Sequence, residues 1–247
     1  MTPRRFLAPE AAGLRDIWLD RGESHHLMRV LRLPRQSRVE VFDGMGHAFT
    51  ARFVETDGAG RCRLLRGEAL HSREPSIRLT VGLAVLKGDA FTAAARRLAE
   101  VGAASLIPLI TERSLGRASS GRVARWRAAV LSGARQCGRA TVPVVGPPQA
   151  FATWIGSALP RERWIACPAG RNRPPAGPDC RVRRAVAIGP EGGFSPDEVR
   201  AARESGFRQL LLGDRVLRSG TAAAVAAWAL LGSGGEPEVH DRSAPGC

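Results

Sequence analysis

None of the five cysteines (Cys62, Cys137, Cys167, Cys180 and Cys247) forms a C-x-x-C pair, and their number is odd. Such spacing argues against a zinc site and against a disulfide framework, so a reducing cytoplasm is the expected setting. Long apolar runs are missing as well. The longest, 222–231, falls far short of the roughly 20 residues a membrane span needs. No basic-then-apolar leader opens the chain, and secretion is not expected. Lysine has all but gone: among 37 basic residues Lys87 is the sole lysine and the rest are arginine. Where either cation serves, arginine has replaced it. A lysine that stays marks a place where a compact ammonium with rotatable donors is useful.

Negative charge is also scarce. Lys+Arg 37 against Asp+Glu 23 leaves a net +14. Residues 1–73 hold 13 basic and 9 acidic residues, 74–232 hold 23 and 11, and 233–247 hold 1 and 3, so the excess sits in the middle stretch. Between Glu112 and Glu162 there is no carboxylate, while eight arginines fall there. A charge run is ordinarily a solvated face. One of this length without a counter-charge points to a polyanionic partner, RNA foremost. The remaining composition, 44% hydrophobic and 24% charged, is that of a folded protein, and 247 residues suffice for two ordinary domains.

Hydropathy patterning divides the chain near 73–75. Before it lies a small β-rich unit: 39–42 alternates and ends in Asp43-Gly44, a turn signal, and 48–54 and 61–65 alternate likewise. A short helical pattern, 24–33, interrupts it with Leu27, Val30 and Leu31 on one face and Pro34 as the stop. After it, strands alternate with helices, the pattern of βαβ units and a parallel sheet. Strands are expected at 80–86, 105–110, 142–145, 163–167, 184–188 and 208–212, and helices at 89–101, 120–138, 195–206 and 221–231. Ser195, Pro196 and Glu198 form a strong helix start. Residues 168–178 read as an exposed loop and 233–247 as a flexible tail.

Two glycine-rich turns follow strands: Gly189-Pro190-Glu191-Gly192-Gly193, and the stretch from Gly213 to Gly220. Ligands of open α/β sheets bind beyond the carboxyl ends of strands, where glycine lets backbone groups come close. Neither turn is a G-x-G-x-x-G or G-x-x-x-x-G-K-[ST] phosphate cradle, which disfavours a nucleotide-dependent redox enzyme. A neutral or cationic nucleoside-like ligand suits them better. No H-E-x-x-H or G-x-S-x-G is present, so hydrolysis through a covalent triad is disfavoured, and group transfer by positioning is favoured.

Taken in order, several segments resemble the RsmE-type ribosomal RNA uridine-N3 methyltransferases. They are His25-His26-Leu27-Met28-Arg29-Val30-Leu31-Arg32, Ile107-Pro108, Thr111-Glu112-Arg113-Ser114, and Gln136-x-x-Arg139 followed by Pro143. Ile188-Gly189-Pro190-Glu191-Gly192-Gly193-Phe194-Ser195 and Leu212-Gly213-Asp214-Arg215-Val216-Leu217-Arg218 complete the set. The resemblance implies a PUA-like β-barrel domain (1–73) that binds RNA and a SPOUT-type α/β methyltransferase domain (74–232) tied in a trefoil knot. It further implies S-adenosyl-L-methionine as methyl donor, a homodimer, and 16S rRNA of the small ribosomal subunit as substrate, with neither a metal nor a membrane involved.

By position, the resemblance assigns the donor to Ile188, Gly189, Pro190, Glu191, Gly192, Gly193, Leu212, Gly213, Val216, Leu217, Arg218 and Thr221. Arg218 would steady the developing uracil anion, and Glu191 would accept a proton or brace its loop. Arg4, Arg5, Arg29 and Arg32, with His25 as a stacking residue, would grip RNA from the first domain. From the second domain Lys87, Arg122 and Arg125 would contact RNA, and Arg113, Gln136 and Arg139 would face RNA or a second copy of the chain. The chain departs from the family pattern in three places: Gly220 stands where a glutamate is usual, Arg135 where an acid precedes the glutamine, and Gln36-Ser37 where a Gly-Asp turn is usual. The missing glutamate leaves a second reading open, an RNA-binding or ribosome-assembly protein with little or no turnover.

Overall fold

A computed structural model describes residues 4–71, 74–116, 118–168, 170 and 183–232; the expected tail at 233–247 and most of the 168–178 loop lie outside them. The chain forms two compact units, Met1–Glu74 with Val130–Pro143, and Pro75–Ala129 with Val144–Cys247. Patterning alone assigns 130–143 to the second domain, whereas its contacts lie in the first unit. Long-range ion pairs and apolar contacts, invisible to a local pattern, hold it there.

The first unit holds β1 (Arg5–Leu7), β2 (Asp16–Trp18), α1 (Arg21–His25), β3 (Arg38–Phe42), β4 (Ala48–Thr56) and β5 (Cys62–Leu70). Its sheet order is β1-β3-β4-β5-β2, with β1 parallel to β3 and the other pairs antiparallel. Alternation sends Val39, Val41, Ala51, Phe53, Cys62 and Leu64 inward, onto a core shared with Phe6, Ile17, Leu19 and Leu27. The helix expected at 24–33 is α1 followed by a π-helical turn, His26–Val30. Asp20 caps α1 by accepting from the Glu23 N–H at 2.7 Å. Gln36, one of the departing residues, takes φ of 68°, a left-handed conformation that glycine adopts without strain.

Arginine fastens 130–143 to this unit. Arg139 and Glu74 pair at 2.8 Å, and Glu74 also accepts from the backbone N–H groups of Ala140 and Thr141. Arg5 pairs with Glu40 at 2.9 Å and donates to the Arg139 carbonyl at 2.8 Å. Arg135 pairs with Glu23, so this departure from the family pattern has a carboxylate partner within its own unit. Arg5 and Arg139 are buried, and burial lowers the Arg5 pKa against the opposing pull of Glu40. Their expected contact with RNA is corrected accordingly: a buried guanidinium held by a carboxylate cannot reach an external phosphate.

The second unit contains β6 (Arg78–Ala84), α2 (Ala90–Val101), β7 (Ser105–Ile110), α3 (Ser120–Cys137, up to Ala129), β8 (Val144–Val145) and β9 (Gln149–Ala150). It continues with α4 (Phe151–Ile155), β10 (Glu162–Ala166), β11 (Arg183–Ile188), α5 (Pro196–Glu204), β12 (Arg208–Leu210) and α6 (Ser219–Leu231). All its strands are parallel, in the order β12-β10-β11-β6-β7-β8 with β9 also on β7. Helices cover both faces. Phe151, Trp154, Ala202 and Phe207 pack with Ile165, Ala185 and Ala187, while α6 lies on β6, β11 and α2. A side chain at Gly82 would sit 2.7 Å from both Leu109 and Trp154, so glycine there permits the close approach of α4. Arg184 is wholly buried; it bonds Glu162 at 2.6 Å and the Leu230 carbonyl near the end of α6 at 2.6 Å.

Asp43 closes the turn between β3 and β4. Burial opposes its ionisation, but the His47 ring and the N–H groups of Met45 and His47 outweigh that and hold its carboxyl below the ordinary carboxylate range. Because the folded value is depressed, its contribution to stability is full above the unfolded value of about 3.9 and fades as pH falls through the folded one. Asp43→Ala is expected to cost about 1–3 kcal/mol at pH 7 and to flatten the acid side of the stability curve, measured by urea unfolding at a series of pH values.

Candidate functional site

The strand order brings three carboxyl ends together. At the end of β10 come Ala166, Cys167 and Pro168, at the end of β11 Ile188 to Phe194, and at the end of β12 Leu210 to Gly213 and then Arg215 to Ser219, and with Ala222 they enclose a cavity of about 440 Å³. That volume lies within the roughly 300–1,000 Å³ of small-molecule sites. The Cys167 N–H donates to the Leu210 carbonyl at 3.2 Å and ties the first and third of these segments.

Local chemistry shapes the walls. In the middle loop the Gly193 N–H donates to the Pro190 carbonyl at 2.8 Å, closing a tight turn, and Gly193 has φ of 68°. A Cβ at Gly189 would lie 3.1 Å from the Phe194 ring, which itself packs on Phe151 with centroids 4.8 Å apart. The loop then enters α5 through a capping box: Ser195 accepts from the Glu198 N–H at 3.3 Å, and Glu198 accepts from the Ser195 N–H at 2.9 Å. The other oxygen of Glu198 accepts from the Glu112 N–H at 2.9 Å, which pins the loop after β7. Arg113, on that loop, donates to the Gly192 carbonyl at 2.9 Å. Among the described residues, Glu191 is the one carboxylate in the lining, and Arg215 and Arg218 are its cations; all three are exposed.

The expected donor residues converge well. Ile188, Gly189, Pro190, Glu191, Gly192, Gly193, Leu212, Gly213, Val216, Leu217 and Arg218 all line the cavity; Thr221, exposed one turn into α6, does not. Arg218 is the N-cap residue of α6. The expected RNA residues divide between the two units. Arg4, His25, Arg29, Arg32 and Gln136 are exposed on the first unit, and Lys87, Arg113 and Arg125 on the second. Arg122 is half-buried and donates to the Leu86 and Gly88 carbonyls, which braces the loop after β6. Sequence reasoning missed Ala166, Cys167 and Pro168, because nothing local says that β10 lies between β11 and β12. It also missed the tether from Glu198, whose capping signal alone was visible.

At the start of α6, a Cβ on Gly220 would lie 3.6 Å from both Ala94 and the Arg97 guanidinium, an ordinary contact. Arg97 has no carboxylate partner among the described residues. No cluster of potential metal ligands occurs among the described residues, and no helix there is long and apolar enough to cross a membrane.

A family profile described as an RNA methyltransferase domain matches residues 72–231, and one described as an RNA methyltransferase PUA domain matches 19–64. The ribosomal RNA small subunit methyltransferase E of Synechocystis sp. is 32% identical, over 92% of this chain and 76% of its own. The protein of that name in Mycobacterium tuberculosis is also 32% identical, over 84% and 83%. A crystal structure of ribosomal RNA small subunit methyltransferase E from Neisseria gonorrhoeae, bound to S-adenosyl methionine, superposes with a TM-score of 0.84 at 28% identity, covering 93% of this chain and 97% of that one. A Legionella pneumophila structure with bound cofactor SAM gives 0.83 at 28%, with the same coverage.

Glu198→Ala removes the cap and the tether together. It is expected to lower stability by about 1–2 kcal/mol and to raise amide exchange at 111–114 and 189–195 above that of the β10–β11 pair, read by hydrogen-exchange mass spectrometry.

Proposed function

This chain belongs to the RNA methyltransferase family, among the methyltransferases that act on small-subunit ribosomal RNA, and on that premise we propose that it transfers a methyl group from S-adenosyl-L-methionine to N3 of a uridine in 16S rRNA. The observation that carries the reading is the cavity where β10, β11 and β12 end, which lies inside the stretch matched by the methyltransferase profile.

The residues present fit such a donor. Apolar walls from Ile188, Leu212, Val216 and Leu217 suit an adenosine face, and backbone groups of 189–193 and Gly213 supply neutral hydrogen-bonding partners without a side chain in the way. Gly213, with φ of 114°, holds a conformation that other residues rarely adopt. When bound, the donor supplies a methyl group already activated by its sulfonium. The protein's task is then alignment, which by proximity alone supplies roughly 7–11 kcal/mol.

Uracil N3 must lose its proton before or during attack. Glu191, the carboxylate of the lining, accepts that proton in this reading. Arg218, anchored at the cap of α6, offers its guanidinium to the negative charge that develops on the ring. Arg4, Arg29 and Arg32 on the first unit, and Arg113 and Arg125 on the second, hold the RNA backbone, with Lys87, His25 and Gln136 as further contacts.

The working species is a homodimer. Val216 is 87% exposed beside the cavity, and α6 leaves Val225 and Trp228 exposed at 38% and 59%, an apolar patch that a second copy would cover. The resemblance to the family implies that the C-terminal part of this unit is threaded as a trefoil knot. The cytoplasm, where ribosomes are built, is the proposed site of action.

Gly220 favours weighing the second reading, an RNA-binding protein with weak turnover. A Cβ at Gly220 makes only ordinary contacts, one of them with the Arg97 guanidinium, so Gly220→Glu would set a carboxylate beside Arg97 in the first turn of α6. Methyl transfer to small ribosomal subunits, followed by radiolabel and mass mapping, distinguishes the two: transfer to a uridine supports the enzyme, and donor binding without transfer supports the alternative. Gly220→Glu should raise the rate if that carboxylate limits it. Arg218→Ala should cut transfer about 10²–10³-fold while donor affinity, by calorimetry, changes only a few-fold. Equal loss in both would end the anion-stabilising role.

A further inference from the structure

The first unit carries a charge arrangement that its own fold leaves unbalanced. Arg38 on β3 and Arg52 on β4 are register partners in the antiparallel pair, and both are exposed. Their Cβ atoms therefore stand about 5 Å apart on one face. Further along the same row come Leu65 of β5, 38% exposed, and Asp16 of β2. Asp16 is already bound to Arg63 at 2.6 Å.

The nearby acids are engaged in the same way: Glu40 with Arg5, Glu55 with Arg63, Asp57 with Arg61 and Glu23 with Arg135. Neither Arg38 nor Arg52 reaches a carboxylate among the described residues, and nor does Arg35, exposed in the turn that the Ser37 N–H closes onto the Pro34 carbonyl. Like charges directly opposite one another destabilise a sheet. An anion lying between them reverses the sign of that interaction. A solvated face needs no such pairing, because any neutral residue would serve at either position.

We propose that Arg38 and Arg52, on the outer face of β3 and β4, together with Arg35 in the turn before β3, form a binding surface for the phosphate backbone of RNA. This rests on the function proposed above and extends the grip beyond the residues that the resemblance assigns. Charge complementarity names the occupant: a phosphodiester chain supplies closely spaced negative charge, and Leu65 beside the pair offers apolar surface to a sugar or base.

The experiment compares R38T/R52T and R38K/R52K with the wild type, using the full chain and a small-subunit rRNA fragment. Threonine suits an exposed strand. Relief of the opposed charges should raise the Tm of the free R38T/R52T protein by about 1–3 °C. The same variant should bind the fragment more weakly, with the slope of log K against log salt smaller in magnitude by about 1.4–1.8, the share of two phosphate contacts. R38K/R52K should keep the wild-type slope. A fall in Tm for R38T/R52T would show that the pair supports the fold and would overturn the proposal. So would an unchanged slope, which leaves the methyltransferase reading standing when the wild type itself binds with a steep slope. A wild type whose RNA binding ignores salt overturns both.

Discussion

Parallel pairing of β10 with β11 on one side and β12 on the other is the constraint on which the cavity depends. Side-by-side parallel strands end at the same edge, so the segments that follow them must diverge from adjacent points. Remove the middle strand and the loops at 189–193 and 211–218 would no longer share a wall. Their glycines would then be ordinary turn residues. Burial enforces the pairing: Trp164, Ile165, Ala185, Val186, Ala187 and Leu210 are all buried, and a slip of one register would carry charged neighbours inward.

A second constraint divides the arginines. Some are spent inside the fold, each against a named acceptor: Arg5 on Glu40, Arg139 on Glu74, Arg184 on Glu162 and the Leu230 carbonyl. Others lie nearer solvent, some paired there, as Arg61 with Asp57 and Arg63 with Asp16, and some, such as Arg38 and Arg52, without a carboxylate partner among the described residues. A composition of +14 cannot tell one group from the other, since both contribute equally to the sum. Only the first group stabilises the folded chain. In the function proposed here, the unpaired exposed ones give the protein its hold on RNA, and that hold weakens with salt.

Glu198 shows how stability and site geometry are joined in one side chain. One oxygen closes the capping box of α5 and the other takes the backbone of the loop after β7. The rigid start of a helix thus serves as the anchor for two loops at the carboxyl edge, and Arg113 adds a third bond to the Gly192 carbonyl. A site that aligns two reactants gains from such bracing, because small displacements erode the advantage of proximity.

Much of the fold is legible in the sequence alone. The alternating stretches, the α/β succession, the cap at Ser195 and both glycine-rich loops could be read because each is set by residues within a few positions of one another. The motifs of the family then tied those loops to one donor site. Other features depend on which distant residues meet. The place of β10 between β11 and β12, the membership of 130–143 in the first unit, the burial of Arg5 and Arg139, and the facing of Arg38 by Arg52 all belong to that class. Local sequence set the elements through short-range sterics and hydrogen bonding; tertiary structure alone decided strand order and charge pairing, because those arise from packing between segments that the chain holds far apart.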